Sequence, residues 1–306
     1  MASKRITTFG LVWQLARHEL LIAFKSRRIM GVLVLYSALA LIGSYVYVAF
    51  LKAIEAQSIK FLINSGVDSA QANETVSVMG SEAYQKVLAF FVGAQPEDLS
   101  AALMSSPFMP VILWASLTFL PYLILLLAYD IIINDVESRT LCYSLLRASR
   151  AQLVFGKYLA HTLIFMGLNT VCSVLLVTMS LQLIGTADAS QTVMGLLRVW
   201  LSLIPYGLCY LGMFFFVSSM MRRRGGTLTF AIVTMSVFQG ISWTRYLPSE
   251  GVWGALQYLH WLSPSNYIDG LWLSGMTQPL TSVGALLCFA SGFIMLAIWR
   301  LKGRDL

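Results

Sequence analysis

The stretch DVESRTLCYSLLRASRAQLVFGK, Asp135 to Lys157, sets two acids and four Lys or Arg between two long apolar runs, with a single glycine and no proline. How it is read decides the fold. An isolated charge at the centre of a bilayer is costly, so a segment this polar has to leave the hydrocarbon and return. The apolar runs on either side are then membrane spans, and Asp135 to Lys157 is a connection at one membrane face.

Composition agrees with that reading. The 306 residues are 58% hydrophobic and 11% charged, whereas a soluble domain carries roughly 25% charged residues. A bilayer core about 30 Å thick needs around 20 apolar residues per helix. Six windows satisfy it: Ile29 to Phe50, Pro110 to Ile133, Tyr158 to Leu183, Leu196 to Met221, Thr227 to Ile241 and Thr281 to Trp299. The expectation is an all-α polytopic membrane protein forming one membrane domain over residues 1–306. The first apolar run is long enough to span and follows 28 residues with six Lys or Arg, so it is expected to stay in the mature protein rather than act as a signal peptide.

With the N-terminus inside, 16 of the 21 Lys and Arg fall on the cytoplasmic side, among them Arg222 to Arg224, Arg300, Lys302 and Arg304. That asymmetry orients the chain with both termini cytoplasmic. The net charge of +7 is accounted for by the same asymmetry and by contact with anionic lipid headgroups, and not by nucleic-acid binding. Cys172, Cys209 and Cys288 lie in spans and Cys142 on the cytoplasmic side, so no disulfide is expected. The three histidines are scattered and no metal site is expected.

Outside the spans three segments stand out. In residues 1–28, Phe9, Trp13, Ala16, Leu20 and Phe24 share one helical face while Arg17, Lys25, Arg27 and Arg28 take the rest, the pattern of an amphipathic helix at the membrane interface. Residues 52–109 form one large extracytoplasmic insertion with six acids against three lysines. Lys52 to Ile63 extends the first span as a helix, and Gln95-Pro96-Glu97-Asp98 has the form of a helix start. Residues 243–278 mix Trp243, Trp253, Tyr258, Trp261 and Trp272 with prolines and glycines. Two readings stand for that stretch: a re-entrant element held by protein neighbours, or a loop on the outer surface.

Several chemistries find no residues to carry them. Gly156-Lys157 ends like a P-loop, but Ala151 stands where the first glycine is needed and Tyr158 where Ser or Thr would hold magnesium. Gly-x-Ser-x-Gly and His-Glu-x-x-His are absent, so no enzyme activity is expected of this chain. Asp130 lies near a span end and shares a helical face with Asn134 and Glu137 if the second span runs on; both Asp130 and Asn134 are candidates for a structural or transport role. Within 135–152, Ser138 is placed to cap a short helix whose apolar stripe is Leu141, Leu145 and Ala148, with Arg139, Arg147 and Arg150 polar. Ser149-x-x-Gln152 then has the form of a capping box opening the next helix.

These residues resemble the permease subunits of ABC-2 type transporters. The closest likeness is LLLAYDIIINDVESRTLCYSLLRASRAQLVFGKYLAH, Leu125 to His161, a span ending in Ala-Tyr-Asp, a Glu-x-x-x-Thr-Leu-like helix, and Gly-Lys opening the next span. ARHEL, Ala16 to Leu20, is similar to that family's interface helix, and LSPSNYIDGLWLSG, Leu262 to Gly275, to its Ser-Pro segment before the last span. Arg139 stands where the family has Gly before Thr-Leu, and Ala148 where it often has Pro. The resemblance is nearest to the branch of nitrous-oxide reductase maturation and gliding-motility permeases.

What the resemblance implies is a type V exporter-like fold with six transmembrane helices, an interface helix carrying Trp13, Arg17 and Glu19, and a cytoplasmic coupling helix. That helix would grip a cytoplasmic ABC ATPase dimer through Glu137, Arg139, Thr140, Leu141 and Leu145, and ATP and Mg would bind to the ATPase and not to this chain. The implied partners are also a second permease copy, membrane lipids and an extracytoplasmic protein, in a bacterial inner membrane. An ion-coupled secondary transporter, and a non-transporting module passing ATPase work outward, are the rival functions.

Overall fold

In a computed structural model of the protein, residues 8–64, 109–138, 140, 145–146, 148–184, 189–221, 223–246, 256–271 and 277–303 are described, and every element among them is helical. In chain order these are α1 (Thr8–Lys25), α2 (Arg27–Asn64), α3 (Met109–Ala128), α4 (Ile133–Glu137), α5 (Arg150–Ile184), α6 (Ala189–Met220), α7 (Arg224–Trp243) and α8 (Thr277–Lys302). Short 3-10 turns at Thr244–Tyr246, Tyr258–Leu262, Pro264–Tyr267 and Asp269–Leu271 lie between α7 and α8. Among the described residues five stretches are long and apolar enough to cross a membrane, Ser116–Glu137, Arg150–Leu175, Val193–Met220, Arg224–Trp243 and Thr277–Lys302; a sixth is reached if α1 and the first half of α2, bent by 69°, count as one span. The protein is an integral membrane protein of all-helical build. Of the insertion expected at 52–109, residues 65–108, with Gln95 to Asp98, lie outside the described residues, as do Arg139 and Leu141.

The bundle is organised around α6. Its middle turns are apolar all round, and Leu211, Phe214, Phe215 and Val217 lose their whole surface to neighbours, as a helix enclosed by others must. α8 lays a single stripe against it, Ser282, Leu286, Ala290, Ile294, Ala297 and Leu301, at steps of three and four. The two backbones come so close at Gly212 that a Cβ there would stand 3.0 Å from the Ala290 carbonyl oxygen. α3 and α5 pack on the other sides of α6, and α2 is held by Val32 and Tyr36 against Leu123 and Cys172. α7 is different. It fully buries only Thr227, Ala231, Met235 and Ser242, a narrow stripe, with Leu228, Phe230 and Phe238 half-buried beside it.

The second span does not continue as one smooth helix. α3 ends at Ala128, residues 129–132 form a tight turn, and α4 restarts at Ile133. The amides of Ile132 and Ile133 donate instead to the Ser218 hydroxyl of α6, each at 3.2 Å. A buried hydroxyl from another helix thus takes up donors that the break frees. The short helix that Ser138 is expected to cap runs largely through residues outside those described; Ser138 itself closes α4, its Oγ donating to the Asn134 carbonyl at 2.7 Å. The helix restarted at Ile133, so Ser138 arrives at its end.

The apolar face of α1 is also divided. Ala16 and Ala23 are buried where α1 packs along α5. Phe9, Trp13 and Phe24, expected on the same face, remain exposed. They keep the aromatic, basic-flanked character of an interfacial surface.

Candidate functional site

The functional residues gather at the end of the bundle where α1, α4 and the starts of α5 and α7 meet. α5 begins with a reciprocal cap: the Ser149 amide donates to Gln152 Oε1 at 2.8 Å and the Gln152 amide to Ser149 Oγ at 3.3 Å. That capping box fixes where α5 starts and so which way its second turn faces. Gly156, on that turn, lets α1 lie close, since a Cβ there would be 2.8 Å from Leu15 Cβ and 3.2 Å from the Val12 carbonyl oxygen. The next residue, Lys157, reaches across the same contact.

The Lys157 Nζ is 2.5 Å from Glu19 Oε1 of α1 and 3.0 Å from Asp135 Oδ2 of α4, and its side chain is only 7% exposed. A buried ammonium is tolerated where carboxylates satisfy it. Here the two it uses come from different elements. One side chain therefore joins the interface helix, the root of the polar connection and the third span.

A second knot joins α4 to α7. The Arg224 Nε lies 2.9 Å from Glu137 Oε2, and the Arg224 backbone amide donates to Glu137 Oε1 at 2.9 Å. The Arg224 guanidinium also donates to the Asn134 side chain. Three successive arginines are unfavourable at the positive end of a helix dipole, and Arg223 at the N-cap offers no side-chain cap bond. The Glu137 carboxylate supplies both missing things, an acceptor and a negative charge. At the other terminus, Arg150 donates to the Leu301 and Lys302 carbonyls at 2.5 and 2.6 Å, closing the C-terminus of α8 with a cation.

Of the residues singled out from sequence, Glu19 and Asp135 meet through Lys157, and Asn134 and Glu137 through Arg224. Trp13 is half-exposed and Arg17 exposed on α1, away from both knots. Asp130 is half-buried in the turn, its carbonyl accepting the Asn134 amide at 2.8 Å. Thr140 is exposed with its hydroxyl 2.9 Å from that of Ser138, Leu145 is half-buried, and Leu146 is 83% exposed. Lys157, Arg224 and Arg150 were not marked as site residues from the sequence. A lysine one turn into an apolar helix was the available signal for the first of them.

Toward the opposite end of the bundle a cleft of about 540 Å³ opens between α3 and α7, with α6 as its back wall. Tyr122, Tyr206 and Tyr210 stand on one side, and Ser236, Gln239 and Trp243 of α7 on the other. The α7 residues recur at steps of three and four, so the cleft receives one whole face of that helix. Arg245, Ser265 and Ile268 line the cleft where the 3-10 turns cover it. Those turns are bonded to the wall: Ser263 Oγ donates to the Phe238 carbonyl at 2.8 Å, and the Tyr210 and Ser265 hydroxyls are 3.1 Å apart. Ser263 itself is extended, as a residue before proline must be. No carboxylate lines the cleft among the described residues.

A family model described as ABC-2 family transporter protein matches residues 13–306 of the chain. Comparison with curated proteins gives no match.

Proposed function

The chain belongs to the ABC-2 transporter family and is a membrane permease of an ABC transporter, and from that premise we propose that it converts ATP hydrolysis by a separate cytoplasmic ATPase dimer into export across a bacterial inner membrane. The observation that supports this most directly is the Glu19–Lys157–Asp135 ion pair, because it binds the polar connection rigidly to both α1 and α5. A segment that receives a push must be braced against the spans it is to move. The docking surface is then Glu137, Arg139, Thr140, Leu141 and Leu145, with Leu141 and Leu145 as apolar anchors. ATP and Mg belong to the ATPase, and a second permease copy completes the membrane part.

Export rather than purely mechanical transmission is favoured by the cleft, which gives a molecule of moderate size a polar, aromatic-lined place within the bundle. An ion-coupled cycle is disfavoured by the lack of a carboxylate among the described residues of its walls. The test is affinity purification of the tagged chain from its native membranes. An ABC ATPase should accompany it, and hydrolysis should be absent from the chain alone and present in the complex. Replacing both Leu141 and Leu145 with Asp should release the ATPase while gel filtration stays monodisperse, because an unpaired carboxylate in a filled cleft costs several kcal/mol. Hydrolysis by the isolated chain, or an ATPase retained by the folded double variant, overturns the proposal.

A further inference from the structure

On the reading that the segment after α4 receives the ATPase, we infer that Arg224 is the positioning residue through which that segment moves α7, and that α7 is the movable wall of the cleft. The two knots at this end of the bundle differ in kind. Lys157 is 7% exposed and its carboxylates 22% and 18%, whereas Arg224 is 49% exposed and Glu137 34%. A buried pair holds its partners together through a conformational cycle, because separating it strands charges away from water. An exposed pair holds its partners less rigidly and can pivot as they reorient. The connection therefore travels with α1 and α5 as one body, and the Glu137–Arg224 contact, reinforced by the Arg224 amide and by Asn134, is the pivot through which it bears on α7.

The packing of α7 fits that part. It buries one narrow stripe, Thr227, Ala231, Met235 and Ser242, where α6 is enclosed. Its first turn is fastened to α4 by Glu137 and Asn134, and its outer half to the 3-10 turns by Ser263 on Phe238. Between those two fastenings it runs as an uninterrupted helix, so displacement of the first turn is carried about 22 Å along the axis to Gln239 in the cleft. Glu137 is thus engaged within the chain, and its charge acts on α7 before it acts on any partner.

The experiment uses the complete complex with its ATPase in membrane vesicles, in a Cys142→Ala, Cys288→Ala background, with Gln239→Cys as a probe in the cleft labelled by a membrane-impermeant maleimide. With Arg224 and Glu137 intact, the labelling rate should differ between ATP-bound and nucleotide-free complexes. Arg224→Gln, which removes charge outside the docking surface without reversing it, should abolish that difference while leaving the ATPase bound and hydrolysing, and Glu137→Gln should abolish it as well. Combining Glu137→Arg with Arg224→Glu should restore it, since a glutamate at the first helical position is itself favoured by the dipole. A merely structural contact would not predict restoration together with intact hydrolysis. Labelling indifferent to nucleotide with both residues intact, a nucleotide response surviving in either single variant, or a charge exchange that fails to restore it each overturns the inference. Absence of any ATPase from the purified parent complex instead removes the functional reading, and this inference with it.

Discussion

The ammonium of Lys157 answers two carboxylates while nearly out of solvent, so its effect on stability is set by what its loss leaves behind. Lys157→Met strands Glu19 and Asp135 side by side. The expected destabilisation is about 3 kcal/mol, the lower end for breaking a buried pair, because both acids retain some water. Fluorescence-detected gel filtration after heating, in detergent, measures it. Adding Glu19→Gln and Asp135→Asn to Lys157→Met should recover most of the loss, since no charge is then stranded. An equal loss in the triple variant would mean that Lys157 supplies packing alone. In the sequence, Gly156-Lys157 could be tested for phosphate chemistry and rejected, but of its two actual partners Glu19 is 138 residues away. A contact of that separation leaves no local pattern. Glu137 shows the same limit: its place on a polar face with Asn134 was legible from spacing, whereas Arg224 as their common partner was not.

At the scale of an element, what could be read locally was read well. The Ser149 and Gln152 cap forms as spaced, and the helix it opens carries the third span. Lys52 to Ile63 does continue α2. The break at 129–132 could not be seen, because it is stabilised by Ser218 of another helix, and so the short helix α4 that Ser138 closes could not be seen either. The face of α1 was found but not its division, since nothing in α1 says that α5 presents a glycine to it. That glycine gives a matched pair of tests. Gly156→Ala drives a Cβ into Leu15 and the Val12 backbone and should loosen α1, increasing proteolysis near Lys25 and lowering thermal stability. Gly167→Ala, on the same helix with nothing within 4 Å of its Cβ, should be neutral or stabilise by up to about 1 kcal/mol through helix propensity. If both alanines behave alike, close approach of α1 is not what Gly156 provides.

For the whole molecule, the two knots and the Arg150 contact make a claim about sides that does not depend on counting charges. Glu137 holds the first turn of α7, Arg150 holds the last turn of α8, and Lys157 holds α1, so the ends of three elements far apart in sequence share one face of the bundle. Charge then says which face it is. By sequence, 16 of the 21 Lys and Arg are expected on that side, and from a bias of that size we propose that the face is cytoplasmic. Single cysteines introduced at Ala2, Arg223 and Gly303, in a background cleared of the native four, should all react with an impermeant thiol reagent only from the cytoplasmic side. One at Asn73, within the acidic 52–109 segment, should react only from outside. The geometric and electrostatic arguments can fail separately. Cysteines at Arg223 and Gly303 reporting opposite sides would break the shared face, because the contacts of Arg150 and Arg224 with their partners could not both hold. The same pair reporting together but from outside would leave the bundle intact and reverse its orientation, putting the docking segment beyond reach of a cytoplasmic ATPase.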